Sequence, residues 1–478
     1  MTIDDDTLAL PPEVWAELTA PARVPGLTPA GAAMLRRLRS HPAAPVYRNF
    51  SGHRLSTWDR RWARLRNAWL RHAPTQAHAG DGGVPAWVWP WWWRQAASVA
   101  AWPRTRALLG GWTALPTMTR ADLQRALARH VPVHRQNDTL VCFTTSGTTG
   151  HPIRVPSTPL AAAAYQALHE RALALHGVRL QAGAHEVGVV LAGYQQRCFT
   201  YVSVNPLRGE CGLAKLNLFP DDWRRPEDRA SYLDALRPEL ISGDPVSLSE
   251  LACLPMQHRP RALLSTSMHL SAGLRARLSA RFSCPVVDLY SMNEAGPIAA
   301  YLDEAQGHVL LQPGMYVEML DEAGRPVPAG ERGEITLTGG INPCLPLLRY
   351  RTGDHARLVM TRFGPTLREL DGRPPVRFAA HDGRWINNVE ITQALRRFDL
   401  QRYALHQQAD AHLRLRVVSG APDLPALHMA LAQALGQLLG PLPLTIEPLQ
   451  ADDKVRQYTS DLAGAHVDRQ AHATDGTV

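Results

Sequence analysis

Between residues 187 and 290 the chain repeats one kind of unit: a short apolar run bounded by glycine, proline or serine, then a helix-length segment. The runs fall at 187–191, at Leu240-Ile241-Ser242-Gly243, at 262–267 and at 286–290, with a helix expected over 271–282. Runs this short and continuously apolar read as buried strands. Strands that alternate with helices are joined by crossovers, which predicts an α/β fold of mostly parallel sheets. The pattern changes from Tyr316. Alternating strands meet at Asp321-Glu322-Ala323-Gly324 and again near Gly330, as in an antiparallel β subdomain. A small α+β unit follows, with helices over 389–398 and 424–439 and strands over 402–406, 413–418 and 444–449. At 478 residues the chain needs more than one core. We divide it into a helical, Trp-rich region of the large domain (1–114), a main α/β domain with a β subdomain (115–371), a small mobile C-terminal domain (372–465) and a disordered tail (466–478).

The N-terminal region offers helices over 12–18 and 29–39 without chemistry. From 57 to 70, Trp58, Trp62, Leu65 and Trp69 recur at helical spacing, which predicts an amphipathic helix with these side chains in the core. Residues 76–83 read as a loop, followed by Trp87, Trp89, Trp91, Trp92 and Trp93. We read this cluster as packing of an N-terminal subdomain or as a homodimer contact, with an aromatic substrate pocket as the lesser alternative. The stretch 85–101 is too short and too polar for a membrane span. The acidic N-terminus shows no signal peptide, so a cytoplasmic protein that contacts no membrane is expected. Cys142, Cys198, Cys211, Cys253, Cys284 and Cys344 have no metal-ligand spacing and suit reduced, mostly buried thiols. The net charge of +8 comes from dispersed residues without a basic run, which fits anionic substrates rather than nucleic acid.

An apolar run at 140–143, which reads as a buried strand, breaks into Thr145-Ser146-Gly147-Thr148-Thr149-Gly150, and 153–155 reads as the returning strand before an alanine-rich helix over 160–176. A loop of Ser, Thr and Gly lets backbone N–H groups and hydroxyls turn towards an anion. The segment closely resembles the phosphate loop of the adenylate-forming superfamily, which includes acyl-CoA synthetases and carrier-loading adenylation domains. Three further motifs follow in that family's order. Asp288-Leu289-Tyr290-Ser291-Met292-Asn293-Glu294 resembles its Tyr-x-x-Ser/Thr-Glu motif. Gly330-Glu331-Arg332-Gly333-Glu334-Ile335 resembles its Gly-Glu-x-Gly-Glu-Leu motif. Tyr350-Arg351-Thr352-Gly353-Asp354 matches its Tyr-Arg-Thr-Gly-Asp motif without change. Ahead of the loop, Leu115-Pro116-Thr117-Met118-Thr119-Arg120-Ala121-Asp122-Leu123 opens a helix with Thr119 as its cap. This segment resembles the phenylacetate–CoA ligase branch, which also holds coenzyme F390 synthetases.

The resemblance implies ATP-dependent activation of a small-molecule carboxylate, aryl or related, to an acyl-adenylate, with release of pyrophosphate. The acyl group then passes to a thiol: CoA as the default acceptor, with a carrier-protein thiol or an amine as the alternative. A nucleotide-binding protein that has lost catalysis is a further alternative. The roles carried over are as follows: Thr145 to Gly150 hold phosphates, Glu294 ligates Mg²⁺, and Tyr290 stacks on adenine with Ser267 across the pocket. Asp288 and Ser291 border the nucleotide site, Asp354 accepts from the ribose hydroxyls, and Arg373 contacts ribose or phosphate. Lys454, in Asp452-Asp453-Lys454-Val455-Arg456, would be the adenylation lysine. It and Lys215 are the only lysines among 51 basic residues, which makes its presence at this position notable. The chain departs from the family in three places: His151 replaces the loop lysine, Pro374-Pro375 follow Gly372-Arg373 at the hinge, and Asn388 stands where proline is usual.

Overall fold

The computed structural model describes residues 10–75, 84–102, 111–136, 140–144, 153–268, 270–370, 376–395, 398, 400–419, 424–449 and 457–465. Five helices come first: α1 (Pro12–Leu18), α2 (Pro29–Ser40), α3 (Thr57–His72), α4 (Val88–Ala96) and α5 (Arg120–His130). A ribbon of β1 (Val141–Thr144) and β2 (Arg154–Ser157) precedes α6 (Pro159–Ala174). Next come β3 (Val187–Gly193), β4 (Tyr201–Asn205), β5 (Cys211–Asn217), α7 (Asp228–Leu236), β6 (Leu240–Gly243), α8 (Pro245–Cys253), β7 (Ala262–Ser265), α9 (Ala272–Phe282) and β8 (Val286–Met292). The remainder of the large body is β9 (Gly296–Asp303), β10 (Gly307–Leu310), β11 (Met315–Leu320), β12 (Arg332–Gly339), β13 (Leu347–Thr361) and β14 (Gly364–Arg368). After it come β15 (Arg377–Ala379), β16 (Trp385–Asn387), α10 (Asn388–Leu395), β17 (Leu400–Gln407), β18 (Leu413–Ser419), α11 (Leu424–Leu439), β19 (Leu444–Pro448) and β20 (Tyr458–Ser460).

One twelve-stranded sheet runs in the order β11-β12-β13-β14-β10-β9-β8-β7-β6-β3-β5-β4. Its β5-β3-β6-β7-β8 part is parallel, and β8 to β11 are joined through antiparallel pairs. The α/β class expected from the alternation is therefore the observed one. The parallel part is covered on one side by α2, α7, α8 and α9, and α6 packs with β8 and β9. Its strands are buried on both faces, which is why they read as continuous apolar runs. The C-terminal residues build a separate cluster from Val376 to Tyr458 around the sheet β19-β18-β17-β20.

Two expectations need correction. The α3 helix forms as its spacing demands, capped by a reciprocal Ser56–Asp59 box. Yet Trp58, Trp62, Leu65 and Trp69 face solvent, while Ala63, Asn67 and Leu70 face the protein. The α6 helix explains the inversion. Its alanines permit close approach, and its carbonyls take the polar side chains of α3. Asn67 Nδ2 donates to Ala163 O at 3.0 Å, Arg66 donates to Leu160 O, and Arg71 pairs with Glu170 at 2.8 Å. In return Arg171 donates to Leu70 O at 2.9 Å. Second, β1 is only half-buried, since it pairs with β2 alone rather than entering the large sheet. Its Cys142 is exposed, as is Cys253. Three of the six thiols (Cys211, Cys284, Cys344) are buried and none of the six is in a disulfide.

The tryptophan cluster forms α4, where Val88, Trp92 and Ala96 turn inward one helical turn apart. Trp92, Trp102 and Trp112 join the core of the antiparallel subdomain, with Trp112 packed edge-on against Tyr316. Packing, the first of the readings given above, thus accounts for these rings, although Trp93 stays half-exposed. The 76–83 loop and the 466–478 tail lie outside the described residues. Among the described residues no helix is long and apolar enough to cross a membrane.

Candidate active site

In an open α/β sheet, ligands bind beyond the carboxyl ends of the parallel strands. Here those ends are Gly193 of β3, Gly243 of β6, Ser265 of β7 and Met292 of β8. Gly243 has no room for a side chain, since an added Cβ would lie 2.9 Å from Ala192 O. Ser267 follows β7 with φ of +74°, exposed at this edge. Beside it, β8 carries Asp288, Tyr290 and Ser291 out of the core. Asp288 is still buried, 3.8 Å from His308 Nε2, whereas Tyr290 and Ser291 emerge half-exposed. Glu294 lies in the turn between β8 and β9 and is nearly inaccessible, at 3% exposure.

Glu294 is held from two elements. Arg120 Nη1 lies 3.0 Å from Glu294 Oε1, and Tyr350 Oη donates to the same oxygen at 3.4 Å. Arg120 is the first residue of α5, and the Thr119–Asp122 capping box sets that start: Asp122 Oδ2 accepts from Thr119 N at 2.8 Å. Tyr165 of α6 stands nearby. Burial first, and then the Glu294 charge, push its phenol up to about 12. The Tyr165 ring lies 6.5 Å from the ring of Phe143 in β1.

The 350–354 segment reaches the site from β13, across the antiparallel subdomain. Tyr290 Oη donates to Asp354 Oδ2 at 2.9 Å, which fixes the ring and the carboxylate together. Glu334, from the second of the Gly-Glu motif's carboxylate positions, braces the segment. It accepts from Arg351 Nε at 2.6 Å and from Gly353 N at 2.9 Å. Thr352 Oγ1 donates to Ile335 O at 2.8 Å and accepts from Asp354 N at 3.1 Å. Gly353 has φ of +82°, a left-handed conformation in which glycine avoids strain. Buried Arg349 ties the strand to the segment ahead of α5 by donating to Leu115 O at 2.7 Å.

The described residues thus bring Glu294, Tyr290 and Asp354 together with Ser267 and Ser291 along one edge, and leave Asp288 deeper in the strand. Thr145, Ser146, Gly147, Thr148, Thr149 and Gly150, together with His151, Arg373, Pro374, Pro375 and Lys454, lie outside the described residues. Arg120, Tyr165, Tyr350 and Glu334 were not singled out as functional from the sequence. Glu334 and Tyr350 could have been, because both belong to motifs already recognised. A cavity of about 300 Å³ lies elsewhere, lined by Arg64, Asn67, Glu170 and Arg208 near the amino ends of β3 and β5. Two of its three arginines pair with its one carboxylate, Arg71 and Arg208 lying 2.8 and 3.0 Å from Glu170.

A family model for AMP-binding enzymes matches residues 94–342, just over half the chain. The chain belongs to the AMP-binding enzyme family, within the adenylate-forming superfamily. Among curated relatives of this AMP-binding enzyme, phenylacetate-coenzyme A ligase of Aromatoleum evansii is 33% identical over 101 residues, covering 20% of this chain and 22% of that protein. The Escherichia coli (strain K12) phenylacetate-coenzyme A ligase is 30% identical over 102 residues, covering 20% and 23%. The matches therefore span less than a quarter of either relative's length. Among solved structures, a 2-hydroxyisobutyryl-CoA ligase aligns over 84% of this chain and 88% of its own, with a TM-score of 0.50 and 19% identity. That likeness places the AMP-binding enzyme in the adenylate-forming fold.

Proposed function

We propose that this AMP-binding enzyme activates a carboxylic acid with ATP and passes the acyl group to a thiol, with CoA as acceptor and an aryl or related acid as substrate. The observation that carries the reading is the convergence of Glu294, Tyr290 and Asp354 at the carboxyl edge of the parallel strands. In the first step a carboxylate oxygen attacks the α-phosphorus, the bond to the β-phosphate bridging oxygen breaks, and pyrophosphate leaves. In the second, the thiol sulfur attacks the acyl carbon, its proton goes to solvent, and AMP departs.

Tyr290 presents its ring to adenine and is kept from rotating by the hydrogen bond to Asp354. Asp354, a half-exposed carboxylate, accepts from the ribose hydroxyls. Ser267, Asp288 and Ser291 border the nucleotide, residues 145–150 donate to the phosphates, and Arg373 reaches ribose or phosphate. Lys454 sets its charge at the α-phosphate, carried on the small domain we assign to 372–465. One carboxylate together with phosphate oxygens is an ordinary Mg²⁺ environment, so Glu294, bonded by Arg120 and Tyr350 through Oε1, would offer Oε2 to the metal. When bound there, Mg²⁺ supplies neutralisation of phosphate charge. The thiols, none of them in a disulfide, are the reason to place the enzyme in the reducing cytoplasm.

ATP–pyrophosphate exchange, screened across aryl and fatty acids, tests the first step. Absence of exchange with every acid tried, in a folded protein that still binds ATP, would instead mean a nucleotide-binding protein without catalysis. A carrier-protein thiol or an amine is a second acceptor reading. It is favoured by Pro374-Pro375 at the hinge and by Asn388, which begins α10 with a buried Oδ1 lacking a partner. Acyl transfer to hydroxylamine but not to CoA would select it.

A further inference from the structure

We propose that the outer face of α3 is the contact between two copies of this chain, paired antiparallel about a two-fold axis. Trp58, Trp62, Leu65 and Trp69 are 67, 60, 67 and 51% exposed. At 100° per residue they fall on one narrow stripe, directly opposite the Ala63–Asn67–Leu70 face that packs on α6. Three indoles and a leucine in line are not scattered surface residues. A stripe of this kind in a folded protein marks an interaction site.

The spacing identifies the occupant. Trp58 lies as far before the Ala63–Arg64 bond as Trp69 lies after it, and Trp62 and Leu65 flank the same bond symmetrically. An antiparallel second α3 therefore sets Trp58 against the partner's Trp69 and Trp62 against the partner's Leu65, which an isologous contact requires. The area also suffices. With roughly 150–250 Å² per indole, these exposed fractions leave on the order of 500 Å² on each copy. Two copies would bury about 1,000 Å², where specific interfaces begin.

Charge argues in the same direction. The helix carries Arg60, Arg61, Arg64, Arg66 and Arg71 against one acid, Asp59. Three of the arginines are turned to the protein itself: Arg60 to Leu55 O, Arg66 to Leu160 O and Arg71 to Glu170. Arg61 lies over the Trp58 ring at 5.4 Å, and Arg64 projects from the side of the helix. Two copies thus meet along an apolar seam with a small residual repulsion, so added salt strengthens this contact. Salt would weaken attachment to an anionic vesicle or to an acidic protein.

Sedimentation velocity on the full chain, at concentrations up to ~100 μM and in roughly 50 and 500 mM salt, decides the matter. The expected result is a dimer that tightens with salt. Trp62→Glu should weaken it on the order of 30-fold or more, with unchanged circular dichroism. Leu65→Glu, at a second exposed position, should act in the same direction. A wild-type chain that stays monomeric throughout overturns the proposal whatever the variants do. So does a dimer that both folded variants leave intact. A monomer that floats with phosphatidylglycerol vesicles also overturns it, and makes a lipid surface the occupant.

Discussion

Replacing Asp354 by alanine tests the site where its geometry is best defined. In the structure Asp354 Oδ2 accepts from Tyr290 Oη at 2.9 Å, and the carboxylate is half-exposed at the site. A hydrogen bond to a charged acceptor contributes about 1.5–3 kcal/mol, and a neutral one about 0.5–1.5 kcal/mol. Asp354→Ala should therefore raise the KM for ATP by roughly 10- to 150-fold. Asp354→Asn keeps an acceptor for Tyr290 but removes the charge, so its loss should be smaller. Tyr290→Phe removes only the tether and should cost no more than about tenfold. Initial rates of pyrophosphate exchange at varied ATP give the ordering Asp354→Ala, Asp354→Asn, Tyr290→Phe. Folding should change little, because Asp354 N remains bonded to Thr352 Oγ1. An Asp354→Ala enzyme with ATP KM within about twofold of wild type, its circular dichroism intact, would refute the ribose role.

Three further outcomes are expected. Glu334→Gln should lower the melting temperature and raise ATP KM together, because it removes a buried charge that Arg351 and Gly353 share, at a cost of about 1–3 kcal/mol; a change in one without the other would show that the brace does not shape the 350–354 segment. Lys454→Ala should lower adenylation roughly 10²–10³-fold while largely sparing thioester formation from supplied acyl-AMP, and equal losses in both steps would deny it the adenylation role. Glu390 in α10 accepts from Gln196 N of the large body and from Asn387 N. Burial pushes its carboxyl up to about 7, against opposing hydrogen bonds, with Asp244 adding to the rise. Above its ordinary value near 4.5 the unfolded chain gives up this proton while the folded chain keeps it, so stability falls as pH rises towards about 7 and then levels off. Melting curves across that window should lose this slope in Glu390→Gln, and an unchanged slope would assign it to other groups.

The sequence by itself determined the α/β class, because strands buried on both faces read as short, mostly apolar runs, and 187–191, 240–243, 262–265 and 286–289 are such runs separated by helix-length segments. It also determined the order of the motifs and the individual caps, such as Thr119–Asp122, whose partners lie within one turn. Glu294 and Asp354 were legible because each sits in a short local pattern. What those carboxylates touch was not. Arg120, Tyr350 and Tyr290 come from segments far apart in the chain, and only the tertiary fold brings them against Glu294 and Asp354. The α3 helix shows the same limit most sharply. Periodicity correctly marked Trp58, Trp62, Leu65 and Trp69 as one face, but it carries no information about which face meets the protein. That was decided by α6, whose alanines and exposed carbonyls accept Asn67 and the arginines of α3 more closely than they could accept three indoles. Periodicity is a property of a single helix, and the direction of burial is a property of what packs against it.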